Sequence, residues 1–320
     1  MSELRCSDAA RLRGDRWVGT APPARRWFLV GQAGDWGPTA WQGLHADPRT
    51  KELLEPLLAR AGARLMLVRR PGRAPRDEPP GWGIVDRAAT VPVRWGDRRS
   101  DADLLEAART LLDPLPTAAA GQPMSLPGIP GQQATPPGQS VTRPGEPELL
   151  LVCAHGRKDR CCAVRGRPVA AAAAERWPAA TWECTHTGGD RFAGNLVVLP
   201  DGACYGGLDP DDVEPVVGAH LAGRVDPAHL RGPTGYTPPI QAAVVAAHER
   251  WGPLAWSAVT ARAQAGTPEH WTVDLQVAGI GSVRAHGHTE VTAAHKLTCD
   301  ALEPARMALP IVDGWDGPAT

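Results

Sequence analysis

Nine prolines and five glycines crowd residues 114–147 and divide the chain in two. Proline removes a backbone donor and clashes with the preceding helical turn. Glycine raises the entropic cost of any regular segment. At that density no helix or strand survives. Only Arg143 and Glu146 carry charge there. The stretch reads as a linker with local polyproline character, the sort of segment that proline-recognition modules also take as a ligand. For 320 residues, at roughly 150 per domain, two domains are expected. Their boundaries fall at 1–113 for an N-terminal α/β unit, 114–147 for the linker and 148–320 for a second unit.

Local patterns fill in both units. Trp27–Val30 and Arg64–Arg70 read as short strands, with a helix from Glu55 to about Gly62 between them. GWGIVDRA and VPVRWG suggest a strand pair, and DADLLEAARTLL a helix with acids at its positive end. Beyond the linker, ELLLVCAH is a buried strand that ends at Cys153. RPVAAAAAERWP reads as a helix with Pro168 in its first turn. TWECTH and NLVVLPDG read as strands, DPDDVEPVVGAHLAG and PPIQAAVVAAHERWG as helices. HWTVDLQVAG and GSVRAHGHTEVTAAHKLTC alternate like antiparallel strands. No internal repeat is readable.

Composition excludes several functions. Hydrophobic residues are 42% and charged residues 22%, which argues against disorder. A net charge of -1 exerts no general pull on nucleic acid. Two Tyr and two Phe supply no base-stacking platform. No run of eighteen apolar residues predicts a membrane span, and MSELRCSDAARLRGD lacks the apolar core of a signal peptide, so a cytoplasmic protein is expected. No Gly-x-Gly-x-x-Gly after a strand, Walker loop or Gly-x-Ser-x-Gly elbow occurs, and no carboxylate pair is placed for glycosidase work. No catalytic residue is assigned.

The cysteines carry the chemistry. Seven is an odd number, which suits free thiols or metal ligands better than a disulfide framework. Cys153, Cys161, Cys162 and Cys184 fall in one segment with His155, His186 and Asp190. Thiolate and imidazole suit zinc or iron-sulfur centres. In His186-Thr-Gly-Gly-Asp190, two potential ligands flank glycines whose amides can face anionic sulfide. Spacings match neither a zinc ribbon, a haem site nor the bacterial ferredoxin run. Buried structural cysteines, or a reactive thiol near Arg157, Lys158 and Arg160, stay open as readings. Cys6 and Cys204 read as structural, and His286 and His288 as neighbours on one strand face.

CAHGRKDRCCAVRGRPVA followed by THTGGDRFAGNLVVLPDGACYGG closely resembles the sucrase/ferredoxin-like family. RGPTGYTPPIQAA, CSDAARLRGD and GDWGPTAW share the resemblance, which extends over about 1–260. It implies a C-terminal thioredoxin-like ferredoxin domain with a [2Fe-2S] cluster held by two Cys and two His, preceded by a smaller α/β domain. The cysteines fall on Cys153 and Cys162, with Cys161 open in place of Cys162, since neighbours in an extended loop point apart; the first histidine falls on His186 and the second on Asp190. Asp190 departs from the pattern: carboxylate is harder and more anionic than imidazole. Cys184 is an alternative fourth ligand, since residues i and i+2 of a strand share a face. The expected function is electron transfer with an unidentified redox partner protein and no nucleic-acid or membrane partner. Cluster-free thiol chemistry, or an interaction module with a vestigial site, is the alternative. The N-terminal unit is expected as a degenerate copy of the same fold or a docking platform.

Overall fold

The computed structural model describes residues 4–72, 81–89, 91–112 and 147–318. All of the expected linker except Pro147 lies outside the described residues. The chain opens with α1 (Cys6–Arg13), β1 (Arg26–Gly31), the single-turn α2 (Ala40–Gly43), α3 (Pro48–Ala61) and β2 (Ala63–Arg69). The strands β3 (Gly81–Asp86) and β4 (Val93–Asp97) and the helix α4 (Asp101–Arg109) complete the first half. α3 begins seven residues before the expected Glu55, because the Asp47 carboxylate caps it by accepting from the Arg49 amide and Pro48 suits the first turn. Leu54, Leu58 and Ala61 form its buried stripe, and each leucine contributes about 1.5–3 kcal/mol by leaving water.

The second half runs β5 (Leu149–Cys153), α5 (Arg160–Arg176), β6 (Thr181–Cys184), β7 (Leu196–Leu199), β8 (Ala203–Tyr205), α6 (Val213–Leu221), β9 (Leu230–Pro233) and α7 (Pro238–Trp251). The start expected for α5, near Pro168, is corrected: the helix begins at Arg160 and Pro168 lies inside it. Asp159 caps this earlier start, accepting from the Cys161 amide at 2.8 Å.

Nine strands form one mixed sheet in the order β4-β3-β1-β2-β6-β5-β7-β8-β9. Its seam is the short antiparallel contact of β2 with β6, Val68 opposite Cys184 and Arg69 opposite Glu183. Outward from that seam both halves are alike. Each runs second, first, third and fourth strand, with the first two parallel and the others antiparallel. The first two strands are linked by α2 and α3 in the first half and by α5 in the second. The halves repeat an architecture, although no sequence repeat is legible. The sheet curls: Arg87, just beyond β3, donates to the carbonyls of Pro200 and Thr234 near β9.

Alternation along the strands produces the two sheet faces. Trp27, Leu29, Met66, Val68, Leu149, Leu151 and Val197 share one apolar layer that crosses the seam. Phe28, Val30 and Leu67 face α3 and α4 on the other side. Leu150, Val152, Leu196 and Val198 face α5, α6 and α7. The same core continues into a four-stranded antiparallel sheet, β10 (Val259–Gly266), β11 (Trp271–Val277), β12 (Gly281–Val291) and β13 (Ala308–Asp316). Among the described residues no helix is long and apolar enough to cross a membrane.

His248 on α7 lies in this core, stacked on Trp256 at 5.8 Å, and neither ring nitrogen has a hydrogen-bond partner among the described residues. Burial, then the charge of His220, pushes it down from 6.5 to about 4. A neutral folded ring and an ordinary unfolded one mean that stability is whole above pH 6.5. It falls as pH drops toward 4, at about 1.4 kcal/mol per unit. His248→Phe keeps the ring stack and is expected to spare about 2 kcal/mol of the loss between pH 7 and pH 5. Urea unfolding at the two pH values checks this; wild type and variant falling in parallel would refute it.

Candidate metal centre

Cys153 ends β5, and Cys162 stands in the first turn of α5 directly above that strand end. Gly166 makes the approach possible: a Cβ there would lie 1.9 Å from the Cys153 carbonyl oxygen. His186 follows β6, and Asp190 begins the short helical turn Asp190–Phe192. The Cys153 and Cys162 sulfurs and a His186 ring nitrogen all lie within 4.8 Å of one another. Asp190 Oδ1 accepts from the Cys162 thiol at 3.1 Å and stands 3.0 Å from His186 Nδ1. Two sulfurs, an imidazole and a carboxylate therefore meet at one end of the second half-sheet. The cysteines and Asp190 are buried, while the His186 side chain keeps 22% of its surface.

Four successive carbonyls of the 186–189 loop are each held by a side chain. Arg64, on β2, donates to His186 at 2.5 Å and to Thr187 at 3.3 Å. Arg231, on β9, donates to Gly188 at 3.0 Å, and the Asn195 amide donates to Gly189 at 2.9 Å. Gly188 and Gly189 both have positive φ, 105° and 77°, which side chains resist. With its carbonyls engaged, the loop presents the Thr187 amide to the Cys153 sulfur. His155 supports the same loop: Nδ1 accepts from the His186 amide at 3.2 Å, and Nε2 donates to the Gly37 carbonyl at 2.8 Å. Those partners assign the neutral tautomer, in keeping with the burial that lowers its pKa.

The adjacent Cys162 sulfur, then His186 and the Thr187 amide, hold Cys153 well below the ordinary thiol range despite burial. Cys162 is correspondingly pushed well up, first by the neighbouring Cys153 and then by burial. Burial opposes charge on His186, yet Asp190 and Cys153 prevail and raise it to about 9. Asp190 is lowered: burial works against this, and His186 outweighs it. Two thiols, an imidazole and a carboxylate form a donor set that can exchange protons for a metal.

Of the residues anticipated from sequence, Cys153, Cys162, His186 and Asp190 come together. Cys184 does not join the converging set. It lies in register with Cys153 but packs with Val68, Leu151 and Cys204, and burial pushes its thiol up. β6 ends at Cys184, so the strand parity that would align it with His186 stops there. Cys161 and Cys162 diverge on a helical turn rather than on an extended loop, and Cys161 turns toward Cys6. Arg157 and Arg160 make exposed ion pairs with Asp35 and Asp300. His286 and His288 face separate carboxylates, Asp316 and Asp313. Gln241 ties Ala21 to α7 through the Ala21 backbone.

Sequence reasoning missed Arg64, Arg231 and Asn195, which nothing local distinguishes from surface residues. Asp159 had a usable signal, a capping residue ahead of Arg-Cys-Cys.

The family model described as sucrase/ferredoxin-like matches residues 18–232, from before β1 into β9 and across the whole site. Neither the search of curated proteins nor that of solved structures returned a match.

Proposed function

The chain belongs to the sucrase/ferredoxin-like family, and on that premise we propose that it is an electron-transfer protein binding one [2Fe-2S] cluster through Cys153, Cys162, His186 and Asp190. The observation that carries this is the meeting of two sulfurs, an imidazole and a carboxylate at the end of β5. Four donors of mixed softness fit a cluster with two sulfur-ligated and two oxygen- or nitrogen-ligated positions. The order β6-β5-β7-β8, with α5 joining its parallel pair, supports a thioredoxin-like module.

A bound cluster supplies a one-electron couple. The chain supplies the rest. Cys153 and Cys162 furnish thiolates from a rigid strand end and a capped helix. The clamped 186–189 loop fixes His186 and aims the Thr187 amide at a ligand sulfur, the kind of hydrogen bond that tunes a potential. Asp190 adds negative charge and lowers that potential. The partly exposed His186 side chain supports docking of a redox partner protein on that side.

Protein purified without oxygen is expected to hold about two iron and two acid-labile sulfide per chain. Cys153→Ser removes both, whereas Cys184→Ala leaves both at the wild-type level. Iron and sulfide assay with visible spectroscopy reads the result, and a chain that stays apo after anaerobic reconstitution overturns the proposal. The closeness of the Cys153 and Cys162 sulfurs supports a second reading, cluster-free dithiol chemistry. It predicts a Cys153–Cys162 disulfide after oxidation and no sulfide.

A further inference from the structure

We propose that Cys6, Cys161, Cys299 and Asp159 form a second, separate metal site that binds one zinc ion. Cys6 opens α1, Cys161 lies in the first turn of α5, and Cys299 lies between β12 and β13. Their sulfurs form a nearly equilateral triangle: 3.6 Å from Cys6 to Cys161, 3.4 Å from Cys161 to Cys299 and 3.7 Å from Cys299 to Cys6. With Zn–S bonds of about 2.3 Å, sulfurs at two corners of a tetrahedron stand about 3.8 Å apart. The triangle thus has nearly the dimensions of one face of a zinc tetrahedron.

Asp159 supplies the fourth corner. Its two oxygens stand 3.8 and 3.7 Å from the Cys6 sulfur, and all four donor groups offer an atom within a 4.8 Å span. The carboxylate is held in place, with Oδ1 accepting from the Cys161 amide at 2.8 Å and Oδ2 from the Cys299 amide at 2.6 Å. Each oxygen keeps a further lone pair for a metal. The ligands come from segments as far apart as 293 residues, so local packing does not account for their meeting. Thiolate-rich, four-coordinate and closed by protein donors, the set has the character of a structural zinc site. Zinc binding releases the thiol protons to solvent. The N-terminus of α5, with its partial positive charge, offsets part of the anionic charge. Cys6 and Cys161 are buried, while Cys299 is partly open and gives the ion an entry path.

The ion would staple α1 and the 299 loop to the start of α5. The next residue, Cys162, belongs to the first site, yet the two donor sets share no side chain.

The test is metal analysis of the full chain, purified without oxygen and dialysed against a weak chelator. About one zinc per chain is expected besides any iron. Cys299→Ser, at the most exposed ligand, is expected to weaken zinc binding about 100-fold and leave iron unchanged. As a measurement that does not require this variant to fold, Cys153→Ser loaded with cobalt(II) is expected to show intense tetrahedral bands and thiolate-to-cobalt charge transfer. Zinc-free wild-type protein that takes up no cobalt would overturn the site, as would zinc that follows Cys153 rather than Cys299, or a disulfide within the trio in freshly isolated protein. Iron and sulfide follow Cys153 and zinc follows Cys299, so failure of either site is read separately.

Discussion

Arg231→Met is expected to destabilise the protein by about 3–5 kcal/mol, with Tm falling on the order of 10 °C. The arginine is 1% exposed and pairs with no carboxylate among the described residues. Its guanidinium instead donates to the Gly188 carbonyl at 3.0 Å, to Asn195 Oδ1 at 2.8 Å, to the Thr20 hydroxyl at 3.0 Å and to the Thr20 carbonyl. Methionine fills a similar volume but leaves these buried acceptors without a donor, at about 1–3 kcal/mol each before relaxation. Arg231→Lys keeps the charge but not the planar fork, and is expected to recover less than half of the loss. Chemical denaturation with matched m-values measures the change; a loss below about 1 kcal/mol would mean that the acceptors find other partners. The Gly188 bond is one of the loop clamps, so the same variant is expected to bind iron more weakly.

In the proposed cluster-bound protein, Asp190→His is expected to raise the reduction potential by on the order of 100 mV. A neutral imidazole in place of a carboxylate removes a negative charge beside iron and makes electron uptake easier. The position suits the change: Asp190 is buried, 3.1 Å from the Cys162 sulfur and 3.0 Å from His186 Nδ1. A redox titration followed in the visible spectrum reads the shift. A potential within about 20 mV of wild type would remove Asp190 from the ligand set, since a change of ligand charge has a far larger effect.

Much of the site was legible because its signals are local. The strand ending at Cys153 shows as an apolar run, and the chemistry of His186-Thr-Gly-Gly-Asp190 shows as two donors around glycines. The start of α5 was misread because five alanines and Pro168 outweighed the quieter capping signal of Asp159. The correction matters, since it places Cys161 and Cys162 on successive positions of a helix that turns them toward different neighbours. Cys299, at the end of a stretch that reads as strand, carried no sign of its meeting with Cys6.

The sequence by itself determined the donor chemistry, most of the strands and helices, and the break at residues 114–147, because caps, breakers and hydrophobic period act within a few residues. Tertiary structure alone decided that β2 and β6 join the halves, that Arg64 and Arg231 both grip the 186–189 loop, and that the remote thiols of Cys6 and Cys299 join Cys161 beside Asp159. The reason is physical. Such contacts depend on which faces are buried together once the sheet has closed, and a single chain of letters carries no local trace of a partner a hundred or more residues away.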